Sequence, residues 1–201
     1  MLIYGDTEFS GLHQHTTLIS IGLVSQDGRT FYAELNDYSS QQINTWLQEN
    51  VINRLKFQPP KEGEEEHYMA SRHHNNPVGN DLYASYSVEM RGNKQQVRKE
   101  LLRWLAQFSS VEWVFDVGHY DFMLLIDLLS GNALDLPIWV SPTYRDLNQK
   151  IIQHFKCDSF IAFDFNRERL LQILNIELED ENKHNALYDA KVIKELYQAI
   201  A

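Results

Sequence analysis

The chain has little cysteine, little basic charge and no long apolar run, and each shortage excludes a class of protein. Its one cysteine, Cys157, cannot form an intrachain disulfide, so the fold depends on a packed core. With 18 basic against 28 acidic residues the net charge is −10, which argues against tight nonspecific binding of long duplex DNA. No apolar run reaches the length of a transmembrane helix, and the first residues lack the basic and apolar parts of a signal peptide. We therefore expect a cytoplasmic protein without a membrane partner.

The remaining composition suits one domain with an α/β fold. Hydrophobic residues make up 43% of the 201 residues, so we expect a single core and a single domain over 1–201. Strand-like runs at 2–8, 17–26 and 29–36 predict a three-stranded antiparallel meander, with Asp27-Gly28 in the hairpin turn. A further strand is predicted at 111–116, and periodicity predicts helices at 40–53, 94–108, 119–130, 143–155, 166–175 and 185–200. Residues 56–93 lack periodicity and predict a long loop or flap insertion.

A pair of carboxylates follows the first apolar run of the chain. Residues 2–4 predict a buried strand, and Asp6 and Glu8 come directly after it. Because residues two apart in a strand share a face, both carboxylates would point into one pocket. They would repel each other unless a cation lay between them, and their oxygen atoms suit Mg²⁺ or Mn²⁺. An Asp-x-Glu also arises by chance in an acidic chain, and the alternative is a solvated strand end.

A histidine and an aspartate mark the start of the last predicted helix. Apolar residues from Ala186 to Tyr197 follow helical spacing, and Asn185 is a suitable N-cap. His184 would then lie on the preceding loop, and Asp189 in the first helical turn. A histidine in that place can act as a general base near neutral pH. The alternative is an ordinary pair of surface residues.

The middle of the chain supplies a third candidate aspartate. The predicted strand at 111–116 leads into an apolar helix from Phe122, and Asp121 lies in the turn between them. In α/β folds such turns open onto the binding crevice. Asp116 competes for the same role, although an aspartate at a strand end is often a helix cap.

Together the three motifs resemble those of the DEDDh 3′-5′ exonucleases of the ribonuclease H-like superfamily. That family carries Asp-x-Glu, a central Asp and His-x4-Asp in this order, matched here by Asp6 and Glu8, by Asp121, and by His184 and Asp189. Residues 6–9, 18–24 and 117–121 are also similar to small bacterial exoribonucleases typified by a mycobacterial enzyme, which are related to ribonuclease T and oligoribonuclease.

The resemblance implies a ribonuclease H-like fold and a metal-dependent hydrolase. In such a site Asp6, Glu8, Asp121 and Asp189 hold two divalent ions, Mg²⁺ or Mn²⁺, and His184 is the general base that takes a proton from the attacking water. The implied substrate is a single-stranded 3′ end, RNA in preference to DNA, and the implied product is a nucleoside 5′-monophosphate. The implied assembly is a homodimer.

Residues beside the motifs are candidates for contact with the substrate, namely Phe9, Thr7, His119 and Tyr120. Phe9 could stack on the terminal base, although an aromatic residue in such a place more commonly belongs to the core. The broader family often carries Asn four residues before the central Asp, where this chain has Val117. Two other interpretations stay open, a 3′-5′ exonuclease of single-stranded DNA and a catalytically silent module that binds nucleic acid or nucleotides.

Overall fold

The computed structural model describes residues 1–57, 69–74, 86–178 and 184–200, which fold around one mixed β-sheet. Its strands in the described residues are β1 (Leu2–Phe9), β2 (Leu18–Ser25), β3 (Thr30–Leu35), β4 (Met69–His74), β5 (Tyr86–Gly92), β6 (Val111–Phe115) and β7 (Val140–Asp146). They lie in the order β4-β5-β3-β2-β1-β6-β7. The strand that carries the first acidic motif is therefore enclosed by neighbours on both sides.

Helices cover both faces of this sheet, which confirms the predicted α/β class. The described helices are α1 (Thr45–Asn50), α2 (Lys94–Leu105), α3 (His119–Leu129), α4 (Leu147–Phe155), α5 (Ser159–Asp164), α6 (Arg167–Ile173) and α7 (Ala186–Ala199), with 3-10 turns at Ser40–Gln42, Ile52–Arg54 and Ala133–Asp135. Side chains of α2 and α3 form one core with Ile3, and side chains of α4, α6 and α7 form a second core with Tyr4. Among the described residues no helix is long and apolar enough to cross a membrane.

The predicted meander is confirmed in its strands and its turn. β2 pairs antiparallel with both β1 and β3, while β6 runs parallel to β1. The turn between β2 and β3 places Gly28 at a φ of 93°, a left-handed conformation that glycine adopts without steric cost. Parallel pairing of β1 with β6 brings the end of β6, and hence the start of α3, next to Asp6.

Some predicted helix bounds are wrong. The helix predicted at 143–155 begins only at Leu147, capped by Asp146, because residues 140–146 form the edge strand β7 beside β6. The helix predicted at 40–53 is reduced to α1, since Ile43 is extended and Asn44 caps a new helix by accepting from the Leu47 amide. The short helix α5 was not predicted.

The prediction of a loop or flap over 56–93 needs correction where the structure describes that segment. Residues 69–74 and 86–92 form β4 and β5, which pair antiparallel, and β5 extends the sheet by pairing parallel with β3. The side chains of β5 alternate only in part, so the period of two is weak in the sequence. Residues 58–68 and 75–85, with Pro59, Pro60 and His67, lie outside the described residues.

Candidate active site

Two carboxylates lie on one face of β1, as their spacing predicts. Asp6 and Glu8 point towards α7, whereas the side chain of Thr7 between them contacts α3 on the opposite face. This alternation follows from the strand itself, because successive side chains of a strand leave opposite faces of the sheet. β1 therefore presents acids to one layer of helices and a hydroxyl to the other.

A glycine in β2 lets α7 approach the sheet closely enough to add a third carboxylate. Gly22 is paired with Asp6 across the β1–β2 ladder. A Cβ atom at Gly22 would lie 2.2 Å from the carbonyl carbon of Ala186 and 2.2 Å from the backbone nitrogen of Leu187, so no larger residue fits under the start of α7. This close packing places Asp189, in the first turn of α7, beside β1.

The three carboxylates converge on one point. One ligand oxygen from each of Asp6, Glu8 and Asp189 can be chosen so that all three lie within 4.8 Å of one another. These residues come from opposite ends of the chain, and each is only partly exposed. Such a grouping of hard oxygen donors is the kind of site that Mg²⁺ and Mn²⁺ prefer.

The fourth predicted acid, Asp121, lies beside this group and is held by Thr7. Asp121 is 7% exposed, and its Oδ1 accepts hydrogen bonds from the backbone nitrogen of Thr7 at 3.0 Å and from the Thr7 hydroxyl at 2.6 Å. Thr7, a predicted substrate contact, is itself buried, and its hydroxyl is directed at Asp121. This contact joins the first turn of α3 to the middle of β1.

The acids raise one another's proton affinity. Burial raises the pKa of Asp6 well above its usual range, and the charges of Asp121, Asp189 and Glu8 raise it further. Burial, with the charges of Asp189 and Asp121, raises the pKa of Glu8 to about 8, although Arg54 opposes the rise. Burial also raises the pKa of Asp121 to about 6 against the hydrogen bonds from Thr7.

A bound cation would relieve the repulsion between these carboxylates. Buried carboxylates that repel one another take up protons unless positive charge is supplied from elsewhere. The raised pKa values of Asp6 and Glu8, together with the convergence of their oxygens with that of Asp189, fit a divalent cation. The donor set contains oxygen alone, which suits a hard ion better than zinc.

His184 stands at the entrance of α7, where the sequence predicts it. Its backbone nitrogen donates to Oδ2 of Asp189 at 3.0 Å, and its φ of 63° turns the chain sharply into the helix. Asn185 caps the helix by accepting from the amides of Leu187 and Tyr188, which confirms the predicted N-cap.

An aromatic residue that the sequence does not single out lies against His184. The ring of Trp46 on α1 meets the imidazole edge-on, with centroids 5.4 Å apart and an interplanar angle of 78°. Trp46 is 54% exposed, so about half of its side chain is open to solvent beside His184. Its position on a helix of six residues gave no periodic signal that could have identified it.

Asp116 and Asp121, which compete for the same predicted role, have different partners. Asp116 forms a bidentate pair with Arg167, at 2.6 Å from Nε and 2.7 Å from Nη2, and it also accepts from Asn148 at 3.0 Å. Both of its oxygens are thus engaged in joining β6 to α4 and α6. Asp121 instead accepts its hydrogen bonds from Thr7 of β1, beside the acidic group.

The order of these motifs and their geometry agree with a known family of nucleases. Residues 2–201 match the family described as "3'-5' exoribonuclease Rv2179c-like domain". The chain belongs to this family. A curated relative, the 3'-5' exoribonuclease Rv2179c of Mycobacterium tuberculosis (strain ATCC 25618 / H37Rv), is 28% identical over 151 residues, which cover 74% of this chain and 73% of the relative.

Solved structures of nucleases have the same fold. One is the nuclease domain of 3'hExo bound to rAMP, which is described as a DEDDh family member. It matches with a TM-score of 0.58 at 13% identity, and the match covers 97% of this chain and 88% of that one. A full-length 3'-exonuclease has a TM-score of 0.56 at 13% identity, covering 97% of this chain and 78% of that one. The predicted ribonuclease H-like fold is thus confirmed, and the Rv2179c-like chain is a nuclease of the hydrolase class.

Val117 marks where this Rv2179c-like chain departs from the broader DEDDh pattern. Val117 has a φ of 55°, a left-handed conformation that costs a β-branched residue about 1 kcal/mol or more. Asparagine tolerates this conformation better than most residues, which gives a physical reason for the Asn often found there in the broader family. The next residue, Gly118, lies so close to Phe115 and Tyr144 that a Cβ atom would clash with both.

Two aromatic candidates for substrate contact form one surface beyond Glu8. Phe9 and Tyr120 stack with ring centroids 5.4 Å apart and an interplanar angle of 17°, and His119 lies 5.3 Å from Tyr120. Both Phe9 and Tyr120 are partly exposed, so the pair belongs neither wholly to the core nor wholly to solvent. A separate cavity of about 300 Å³ is lined by Asp6, Asp189 and the rings of Phe163 and Phe165.

Proposed function

We propose that the protein is a metal-dependent 3′-5′ exoribonuclease that removes nucleoside 5′-monophosphates from single-stranded RNA ends or overhangs. The observation that carries this proposal is the convergence of Asp6, Glu8 and Asp189, beside Asp121 and His184, from three distant parts of the chain. A module that only binds nucleic acid has no need of several buried carboxylates that repel one another. Membership of the Rv2179c-like exoribonuclease family supports the same proposal.

In this proposal the four carboxylates would hold two divalent ions, Mg²⁺ or Mn²⁺. Asp6, Glu8 and Asp189 supply the converging oxygens, and Asp121 approaches from the opposite face of β1. When bound, such ions activate water and stabilise the charge on the attacking and leaving oxygens of a phosphodiester. Thr7 keeps the Asp121 carboxylate turned towards β1, and Gly22 allows Asp189 to reach the other acids.

His184 would take the proton from the attacking water. The residue adjoins the acids through its backbone hydrogen bond to Asp189, while its ring lies edge-on against the half-exposed ring of Trp46. A partly exposed histidine can exchange protons with solvent after each turnover. We expect His184→Ala to reduce kcat by about 100- to 10,000-fold, the usual contribution of a general base, with metal affinity preserved.

The stacked rings of Phe9 and Tyr120 support the proposal that the enzyme recognises the terminal base beside the scissile bond. Stacking on aromatic rings holds single-stranded bases without selecting their sequence. Phe9 and Tyr120 offer such a surface directly after Glu8, with His119 at its edge. The preference for RNA over DNA depends on a contact with the 2′-hydroxyl, so a DNA 3′-5′ exonuclease is the second candidate.

Exposed apolar side chains support the proposal of a homodimer. On α5, Phe160, Ile161 and Phe163 are 81%, 50% and 60% exposed, and Phe163 also lines the cavity beside Asp6. A second copy packed on α5 would cover these rings and border the substrate cavity. Light scattering on the purified protein tests this directly, and a monomer at all concentrations would rule it out. We place the enzyme in the cytoplasm, where its single thiol at Cys157 needs no partner.

Digestion of a 5′-labelled single-stranded RNA and its DNA counterpart, each with Mg²⁺ or Mn²⁺, tests the function. We expect a ladder that shortens from the 3′ end of the RNA, abolished by Asp6→Ala and by EDTA. The matched control is Asp135→Ala, which removes an exposed acid of the 3-10 turn at 133–135 that does not belong to the acidic group. Faster attack on DNA would favour the second candidate. Binding without cleavage of either strand would favour the silent binding module.

A further inference from the structure

A second pocket beside the active site is lined by basic side chains. It lies on the β3 side of α7, has a volume of about 320 Å³, and includes Arg54, Lys56 and Lys191 among its lining residues. Among the described residues, Glu89 is the one acidic side chain that lines it. The described part of the lining therefore has three positive groups against one negative group, in a protein whose overall charge is −10.

The basic pocket adjoins the acidic group without sharing its ligands. Asn185 and Tyr188 line the pocket, and they are the chain neighbours of His184 and Asp189 respectively. Arg54 is near enough to Glu8 for its charge to oppose the rise in the pKa of that carboxyl. A strand whose scissile phosphate lay at the acids could therefore reach this pocket with a neighbouring phosphate.

The inner wall of the pocket is held in place by hydrogen bonds. Asn185 donates to the Tyr32 hydroxyl at 3.2 Å, and that hydroxyl donates to Glu34 at 2.7 Å. The backbone nitrogen of Lys56 also donates to Glu34, at 2.6 Å, which fixes the start of the lysine side chain. Glu34 is fully buried and faces Arg91 at 3.7 Å, so its charge is balanced within the core.

The basic groups keep the capacity to bind an anion. Lys56 Nζ pairs with Glu89 at 2.5 Å, but an ammonium has three N–H donors and one carboxylate does not exhaust them. Lys56 is about half exposed and Lys191 is partly exposed, so both can turn towards a ligand in the pocket. Lysine and arginine side chains grouped around a concave site are the usual means of holding phosphate.

We propose that this pocket binds a phosphate group of the nucleic-acid strand other than the scissile one. The proposal rests on the proposed function and adds a subsite to it. The phosphate is either an internal backbone phosphate or the 5′-terminal phosphate of a short oligonucleotide. In both cases the pocket holds the strand through charge and not through base identity.

The test measures binding of oligouridylates by titration calorimetry in EDTA, so that it does not depend on turnover. Lys56→Gln and Lys191→Gln should each weaken binding about fivefold, the effect of removing one partly exposed charge from a phosphate contact. Lys194→Gln is the matched control, because Lys194 lies one turn further along α7 and does not line the pocket. The affinity of this control should equal that of the wild type.

Two chemical changes in the ligand identify which phosphate is bound. If the loss in Lys191→Gln disappears for strands with a 5′-hydroxyl, the pocket binds the terminal phosphate. If the loss of affinity in Lys191→Gln disappears when one internal linkage is a neutral methylphosphonate, the pocket binds the backbone phosphate at that position. Persistence of the loss with both changes overturns the proposal, as does an equal loss in Lys191→Gln and Lys194→Gln. Lys191→Arg should restore affinity, which separates a charge contact from a folding defect.

This test also separates the subsite from the proposed function. A wild-type protein that binds strands through Lys191 but cleaves neither RNA nor DNA would retain the basic pocket and refute the exonuclease. A protein that cleaves RNA with full dependence on Asp6, yet binds equally well in Lys191→Gln, would retain the exonuclease and refute the pocket.

Discussion

Replacing Gly22 by alanine should disable the enzyme without touching a proposed metal ligand. The new Cβ atom would start 2.2 Å from backbone atoms of Ala186 and Leu187, and ordinary contact begins at 3.4 Å. The start of α7 must therefore move outward by about 1.2 Å, and Asp189 moves with it. A misplacement of about 1 Å in a catalytic group costs roughly 100-fold in rate, or about 2.7 kcal/mol in activation free energy.

Gly5→Ala is a control with a comparable steric clash in a different place. A Cβ atom at Gly5 would lie 2.5 Å from the ring of Phe115 and 2.9 Å from the side chain of Leu23, both in the core that α2 and α3 cover. Both variants should lose about 1–3 kcal/mol of the free energy of unfolding through overpacking. Only Gly22→Ala displaces α7, so only that variant should lose most of its activity.

The assay compares kcat/KM on a labelled oligoribonucleotide with the free energy of unfolding from urea titration. The temperature of the activity assay is set well below both unfolding midpoints, so that each variant is folded during the measurement. If Gly22→Ala keeps its kcat/KM within about threefold of the Gly5→Ala value, close packing of α7 on β2 does not set the position of Asp189. A crystal structure of the variant would then show which part of the backbone has yielded.

Substitutions at three further sites test contacts that support the fold. Thr7→Val removes the hydroxyl that donates to Asp121 and should cost about 1–2 kcal/mol in urea unfolding, with Thr7→Ser recovering most of the loss; equal stability of the two variants would contradict the contact. Asp116→Asn weakens the bidentate pair with Arg167 and should cost about 2 kcal/mol while lowering kcat/KM less than Asp121→Asn does; the reverse order would restore Asp116 as the catalytic acid. A hydrogen bond from the arginine two residues later lowers the pKa of Asp27 to about 2, so its stabilisation is complete above the unfolded value of 3.8 and is lost as pH falls towards 2. Because Asp27 is 43% exposed, screening leaves about 0.5 kcal/mol, and Asp27→Asn should remove this acid dependence from the unfolding curve.

The parts of the site that follow from the sequence are those fixed by local geometry. Asp6 and Glu8 share a face because they are two apart on a strand, and Asn185 caps α7 because a polar residue precedes a helical pattern. Both relations depend on a few neighbouring residues and on fixed periods of the backbone. Their roles in catalysis remain predictions that the proposed digestion tests.

The parts that do not follow depend on contacts between distant segments. β7 has the composition of a polar edge strand, and its pairing with β6 outweighs the weak local preference that favoured a helix from 143. β5 becomes a strand because β3 offers it a parallel partner. Trp46 and the basic pocket could not be identified because Trp46, Arg54 and Lys56 meet residues 184–191 only in the fold, about 130 residues further along the sequence.

The contact between β1 and α7 also ties enzymatic activity to the integrity of the whole fold. Asp6 and Asp189 are separated by most of the chain, and they meet only when β1 is paired in the sheet and α7 has docked on it. No fragment that ends before Asp189 can assemble the acidic group, and a partly unfolded chain cannot assemble it either. Nuclease activity and tertiary structure should therefore disappear together on heating. A misfolded copy in a cell should accordingly be unable to cleave RNA.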